Sequence, residues 1–266
     1  MREGSIRVCD INLHYAMEGR GPDSLLIHGW VSSGRMWAHL SSRLAASQRC
    51  WALDLPGCGD SDKPPHGWYS IPNYTTILRE FMRAVGIHRA HVVGHSMGGM
   101  IALDLAATYP DVVERLIAIN PVVTGRARPR PLAYLNWDLG RPLVDLTLRV
   151  PPKVFQMVLG DPLEDRMPRG AKPFQRRTED FFKGTSDSVL GSGRATLMYD
   201  VAPKLSRITA PTLVILGDLD VVVPNSEGRL AAAQIPDARL EVVRAGHLLT
   251  DDLPARTAQL VWEFLA

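Results

Sequence analysis

The 266-residue chain has only three cysteines, Cys9, Cys50 and Cys58. They are odd in number and lack metal-ligand spacing. That excludes a disulfide framework and a cysteine-held zinc, and it fits free thiols in a reducing compartment. Net charge is +2, too small to argue for a nucleic-acid partner. No window approaches the ~18 uninterrupted apolar residues of a membrane span. Residues Met1 to Val8 show neither an apolar core nor a small-residue cleavage site, so no secretory leader is expected and the reading is a soluble, cytoplasmic protein. The sequence also lacks internal repeats, low-complexity segments, a glycine-rich nucleotide fingerprint and a metal-ligand cluster. Neither cofactor nor metal is therefore expected.

What remains is ordinary for a globular chain, with 45% hydrophobic and 22% charged residues, enough for one sizeable core. Residues 5 to 17 alternate as two short strands of an edge hairpin. Strands are expected at 24–28, 50–53, 90–94, 114–120, 212–216 and 240–243. Helices are expected at 35–46, 71–85 and 97–108, each carrying an apolar face. Strands alternating with helices imply a parallel sheet covered on both faces, with ligands at the carboxyl ends of the strands.

The most informative stretch is Gly94-His95-Ser96-Met97-Gly98, which reads G-x-S-x-G between an expected strand and an expected helix. That is the layout of a nucleophile elbow, in which a sharp turn presents the serine hydroxyl beside a helix N-terminus. A serine nucleophile needs a base, an acid to orient the base, and donors for the developing oxyanion. Candidates for each follow other strands. Leu216-Gly217-Asp218-Leu219-Asp220 offers two carboxylates, Arg244-Ala245-Gly246-His247 offers a base, and Ile27-His28-Gly29-Trp30 offers backbone N–H groups. The order is serine, aspartate, histidine.

These residues resemble the α/β-hydrolase superfamily, of the small serine esterase type, over nearly the whole chain. His28-Gly29-Trp30 is similar to the H-G-W of the pimeloyl-carrier-protein methyl esterases. Asp54-Leu55-Pro56-Gly57-Cys58-Gly59-Asp60-Ser61 is similar to a D-x-x-G-x-G-x-S loop, and Gly217 to Pro224 to a G-x-x-D-x-x-x-P acid loop. The resemblance implies an α/β fold with a mostly parallel eight-stranded sheet, helices on both faces and a helical cap inserted after the sixth strand. It implies Ser96 as nucleophile, His247 as base and Asp220, rather than Asp218, as acid. The backbone N–H groups of Trp30 and Met97 become the oxyanion donors, and His28 a support for their loop. Dehalogenase and epoxide hydrolase relatives carry an aspartate where this chain has Ser96.

Between residues 121 and 205 the alternation stops, and short helical runs are broken by proline and glycine. The expected division is a core of 1–120 and 206–266 and a cap of 121–205. The cap carries 14 Lys/Arg against 9 Asp/Glu, where the rest carries 16 against 19. Arg126, Arg128, Arg130 and the pair Arg176-Arg177 either form a solvated face, the favoured reading, or dock an anionic partner such as an acyl carrier protein or a coenzyme A ester. Trp30, Trp137, Phe155 and Met198, with Trp37, Met97 and Met157, are the candidate lining of an apolar acyl pocket. The expected reaction is hydrolysis of a small-molecule carboxylic ester through an acyl-enzyme. The alternatives are a thioesterase or carrier-protein ester hydrolase and a non-hydrolytic lyase or cyclisation catalyst on the same fold.

Overall fold

A computed structural model describes residues 1–125, 137–154 and 173–266. Eight strands form one sheet in the order β1-β2-β4-β3-β5-β6-β7-β8. They are β1 Arg2–Val8, β2 Ile11–Gly19, β3 Asp23–Ile27, β4 Arg49–Leu53, β5 Ala90–His95, β6 Val113–Ile119, β7 Thr212–Gly217 and β8 Ala238–Val243. The β1–β2 and β2–β4 pairs are antiparallel and the remaining pairs parallel. The edge hairpin turns through Cys9 and Asp10, both at positive φ (46° and 64°), as a two-residue hairpin loop matched to strand twist requires.

The central strands are buried on both faces, so they read in sequence as near-continuous apolar runs. Successive residues serve opposite layers. Leu25, Ile27, Val92, Leu116 and Val214 pack toward helices α2 (Ile71–Ala84), α3 (Met97–Thr108) and α7 (Asn225–Gln234). Leu26, Val93, Ile117, Ile119, Leu213 and Ile215 pack toward α1 (Ala38–Leu44) and α9 (Pro254–Leu265). Each fully buried aliphatic side chain contributes roughly 1.5–3 kcal/mol. A one-residue slip would exchange the two layers, so the register is firmly set. Trp37 lies fully buried in the second layer and belongs to the core rather than to a pocket.

Helices described between β6 and β7 include α4 Trp137–Leu148, α5 Pro173–Phe182 and α6 Ser186–Met198, with no strand among the described residues there. The α6 helix begins at a reciprocal capping box of Thr185 and Ser188. It rests on the loop after β3, where Trp30 Nε1 donates to the Val189 carbonyl (2.9 Å), and on Tyr69 after β4, which fills the space at Gly191. The α5 helix is tied by ion pairs from Arg35 to Glu179 and Asp180 and from Arg176 and Arg177 to Asp251 in the short helix α8 (Leu249–Asp252), and the turn that follows it by Lys183 to Asp60. These helices therefore sit over loops that follow the carboxyl ends of β3, β4 and β8. Arg126, Arg128 and Arg130, and with them Phe155 and Met157, lie outside the described residues, as does the side chain of Trp137.

Candidate active site

The G-x-S-x-G stretch closes β5 and opens α3. Ser96 takes φ 57° and ψ −116°, outside the regions open to most L-residues, and such strain costs on the order of 1–3 kcal/mol. Close packing holds it there. A Cβ at Gly94 would collide with the Gly98 carbonyl, and one at Gly98 with the carbonyls of Ile27 and His28. Glycine at both places lets the end of β3 lie against the first turn of α3. Gly29 then passes so near that a Cβ there would meet Ser96 Cβ at 3.3 Å. Two further residues at positive φ, Val31 (46°) and Asn120 (42°), follow β3 and β6 at the same sheet edge.

Asp220 and His247 come to Ser96 from the loops after β7 and β8. His247 Nε2 lies 3.0 Å from Ser96 Oγ, and His247 Nδ1 lies 2.7 Å from Asp220 Oδ2. The Asp220 carboxyl is fully buried, and its other oxygen accepts the Val222 and Val223 N–H groups at 2.8 and 2.9 Å. Burial alone would raise its pKa. The hydrogen bond and charge of His247, with the two backbone donors, outweigh that and hold it below the ordinary carboxylate value. An ionised Asp220 keeps the proton of the neutral imidazole on Nδ1 and leaves Nε2 free to accept from the serine. Asp218, by contrast, is exposed, and its side chain takes no part in this relay.

Two groups that sequence reasoning missed hold the His247 backbone. His95 Nε2 donates to the His247 carbonyl at 2.8 Å, and Asn120 Nδ2 donates to the same carbonyl at 2.9 Å and to Gly246 at 3.2 Å. Asn120 Oδ1 also accepts the Gly217 N–H, so this one side chain ties the ends of β6 and β7 to the histidine loop. Burial and the neighbouring His247 lower the His95 pKa to about 3. His95 is therefore neutral at pH 7 and is a tether rather than a second base. His28 is likewise buried, donating from Nδ1 to the Gly29 carbonyl (2.7 Å) while Nε2 accepts the Leu55 N–H (3.0 Å). It fixes the backbone leading to Trp30.

The His95 shift predicts acid sensitivity. Above pH 6.5 the ring is neutral folded and unfolded. Between 6.5 and about 3 the unfolded chain binds a proton that the folded chain refuses. Stability should then fall by about 1.4 kcal/mol per pH unit on this account alone. Urea unfolding midpoints between pH 6.5 and 5 are expected to drop, with a shallower slope in His95→Gln. An unchanged slope in that variant would contradict the assignment.

The D-x-x-G-x-G-x-S loop has a supporting role. Asp54 accepts the Gly34 and Asp60 N–H groups, and Ser61 Oγ donates to the Asp54 carbonyl while accepting the His14 N–H. Gly59 sits where any Cβ would strike the Asp54 carboxylate. His14, Asp54 and Asp60 have ligand atoms within 4.8 Å of one another. Their oxygens are committed to backbone N–H groups and to Lys183, so they serve as a structural knot. Cys58 in this loop is buried, and burial with the nearby Asp54 charge pushes its thiol up to about 12, which removes it as a nucleophile at neutral pH.

A cavity of about 190 Å³ opens beside Ser96, lined by Trp30, Met36, His95, Phe181, Val222 and His247 among others, with Arg176 and Arg177 also on its wall. Met198, expected in the pocket, is 74% exposed and is absent from this lining.

The model of the alpha/beta hydrolase fold matches residues 25–252. A pimeloyl-[acyl-carrier protein] methyl ester esterase of Aeromonas salmonicida is 27% identical over 93% of this chain and 96% of its own. A fluoroacetate dehalogenase from Burkholderia is 28% identical over 98% of this chain and 92% of its own. The crystal structure of a hydrolase from Pseudomonas aeruginosa superposes with a TM-score of 0.81 at 27% identity, covering 99% of this chain and 98% of that one. With a family match spanning most of its length, an eight-stranded sheet of the same kind and a serine at the strand–helix elbow, the chain belongs to the alpha/beta hydrolase family.

Proposed function

We propose that the protein hydrolyses a carboxylic ester, with Ser96 as nucleophile, His247 as general base and Asp220 as the acid that orients it. The observation that carries this reading is the unbroken relay from Asp220 Oδ2 through both nitrogens of His247 to Ser96 Oγ, at 2.7 and 3.0 Å. Ser96 Oγ attacks the ester carbonyl as its proton passes to His247 Nε2. The N–H groups of Trp30 and Met97 receive the oxyanion. Met97 is the first residue of α3, where an N–H has no partner within the helix and the dipole favours negative charge. The tetrahedral intermediate expels the alkoxide, which takes the proton from His247. A water activated by the same imidazole then frees the acid from Ser96.

Residues 121–205 form a cap in this reading, with Trp30 held between the core and α6 to shape the acyl site. A serine at the elbow favours acyl transfer over the dehalogenation named for one relative. The carrier-protein esterase relative and the basic surplus of the cap support a second substrate form, an acyl group carried on a protein or on coenzyme A. The test is pre-steady-state hydrolysis of a short p-nitrophenyl ester beside the same acyl group as a thioester and on a carrier protein. A burst of one p-nitrophenol per chain followed by slower turnover is expected. No turnover of any of the three would overturn the hydrolase reading.

A further inference from the structure

The wall of the Ser96 cavity carries two guanidinium groups that share a single hydrogen-bonding carboxylate oxygen. The lysine, arginine and carboxylate side chains on that wall are Arg176 and Arg177 alone. Both reach the same atom, Asp251 Oδ2, at 2.8 and 3.4 Å. One carboxylate oxygen thus faces two guanidinium groups, each with five N–H donors. The Nε of Arg176 is buried and has no hydrogen-bond partner among the described residues. A buried donor of this kind is rare, and its most direct satisfaction is an acceptor absent from the protein itself. The nearby Asp180 pairs directly with Arg35 at 3.4 Å and faces Arg176 only through its charge, with no hydrogen bond between them.

The setting points inward. Arg177 and Phe181 are four residues apart on α5, one turn of one helix face, and both line the cavity. The same lining includes the apolar side chains of Trp30, Val222 and Met36. A larger neighbouring cleft of about 720 Å³ also touches Arg176, but its border holds Glu3, Glu18, Asp54, Asp60, Glu179 and Asp251 against Arg35 and Arg176, so acidic groups outnumber basic ones there. Arg177 does not line that cleft, so of the two cavities only the one beside Ser96 is walled by both arginines.

We infer that Arg176 and Arg177 form an anion subsite, and that the ester taken by this site bears a free carboxylate a few atoms from the scissile carbonyl, as in a half-ester of a short dicarboxylic acid. This rests on the hydrolase reading for the role of the cavity. A guanidinium matches a carboxylate through parallel N–H donors, which fixes orientation as well as strength. Held at that wall, the free carboxylate places the ester end toward Ser96. The volume, below the roughly 300–1,000 Å³ of drug-sized pockets, suits a compact acid of this class.

The experiment has two arms. In the first, kcat/KM is measured for monomethyl glutarate and for methyl pentanoate, with the wild type, Arg176→Gln and Arg177→Gln, at low and moderate salt. The wild type should favour the half-ester by about tenfold or more, the size of one charge-assisted hydrogen bond, and the ratio should collapse toward unity in each variant. Salt should erode the preference only modestly, because the contact is direct and partly enclosed. In the second arm, calorimetry measures binding of glutarate and of its neutral diamide to the same three proteins. Glutarate should bind more tightly than the diamide, and Arg177→Gln, the more exposed and less structurally committed position, should abolish the difference even if Arg176→Gln is unstable. If both esters are cleaved without regard to charge and glutarate binds no better than the diamide, the subsite is overturned and ester hydrolysis stands. If neither ester is cleaved while glutarate binding still requires the arginines, the subsite stands and the hydrolysis reading falls.

Discussion

Ser96→Ala is expected to lower kcat/KM for an activated ester by about 10⁴-fold or more while leaving the fold intact. The loss is large because the members of a triad act as a unit. Without Oγ there is no acyl-enzyme, and the step that His247 assists by taking the serine proton is lost. The fold is spared because the hydroxyl does no structural work: Ser96 precedes α3 without a side-chain cap bond, and the hydrogen bond of its Oγ is to His247. Alanine meets the same positive φ as serine, so the strain is unchanged. Steady-state kinetics paired with thermal unfolding checks both halves. Retention of a tenth of the activity would remove Ser96 as nucleophile.

Asp220→Asn is the second large effect, again about 10⁴-fold in kcat, the size seen when a triad aspartate is replaced by its amide in a serine protease. The amide can still accept the Val222 and Val223 N–H groups through one oxygen, so the loop survives. Its NH₂ group would then face His247 Nδ1, a donor against a donor unless the imidazole changes tautomer. In the other tautomer Nε2 carries the proton and cannot take one from Ser96. Asp218→Asn should change kcat by no more than about twofold, because that side chain is exposed and surface substitutions of this kind are usually small in effect. Measuring both variants side by side decides the acid. A reversed order would move the role to Asp218.

The parallel strands were legible because burial on both faces removes polar residues from them. Val92-Val93 and Leu213-Val214-Ile215 read as strands without any knowledge of their neighbours. The elbow was legible because its glycines answer a local steric need, seen in the collisions that a Cβ at Gly94 or Gly98 would meet. The helix Ser186–Met198 was legible only as part of a stretch of short, broken helical runs. Its first two turns, Ser-Asp-Ser-Val-Leu-Gly-Ser-Gly, have low helix propensity and are held by the Thr185 cap and by packing on Trp30 and Tyr69. The tethers on His247 were not legible at all. His95 and Asn120 lie 152 and 127 residues away in sequence, and no local pattern signals a side chain that serves a distant carbonyl. The shared Asp251 under Arg176 and Arg177 is hidden for the same reason. In sequence the pair is indistinguishable from two solvated charges.

Activation of Ser96 by His247 and Asp220 can be read with a fluorophosphonate. The probe reacts covalently with an activated serine hydroxyl and needs no knowledge of the natural substrate. Intact mass followed by peptide mapping should show one phosphonyl group per chain, on the peptide containing Ser96, with no label in Ser96→Ala and strongly slowed labelling in Asp220→Asn. Absence of label in the wild type, or label on another residue, would mean that Ser96 is not the activated nucleophile.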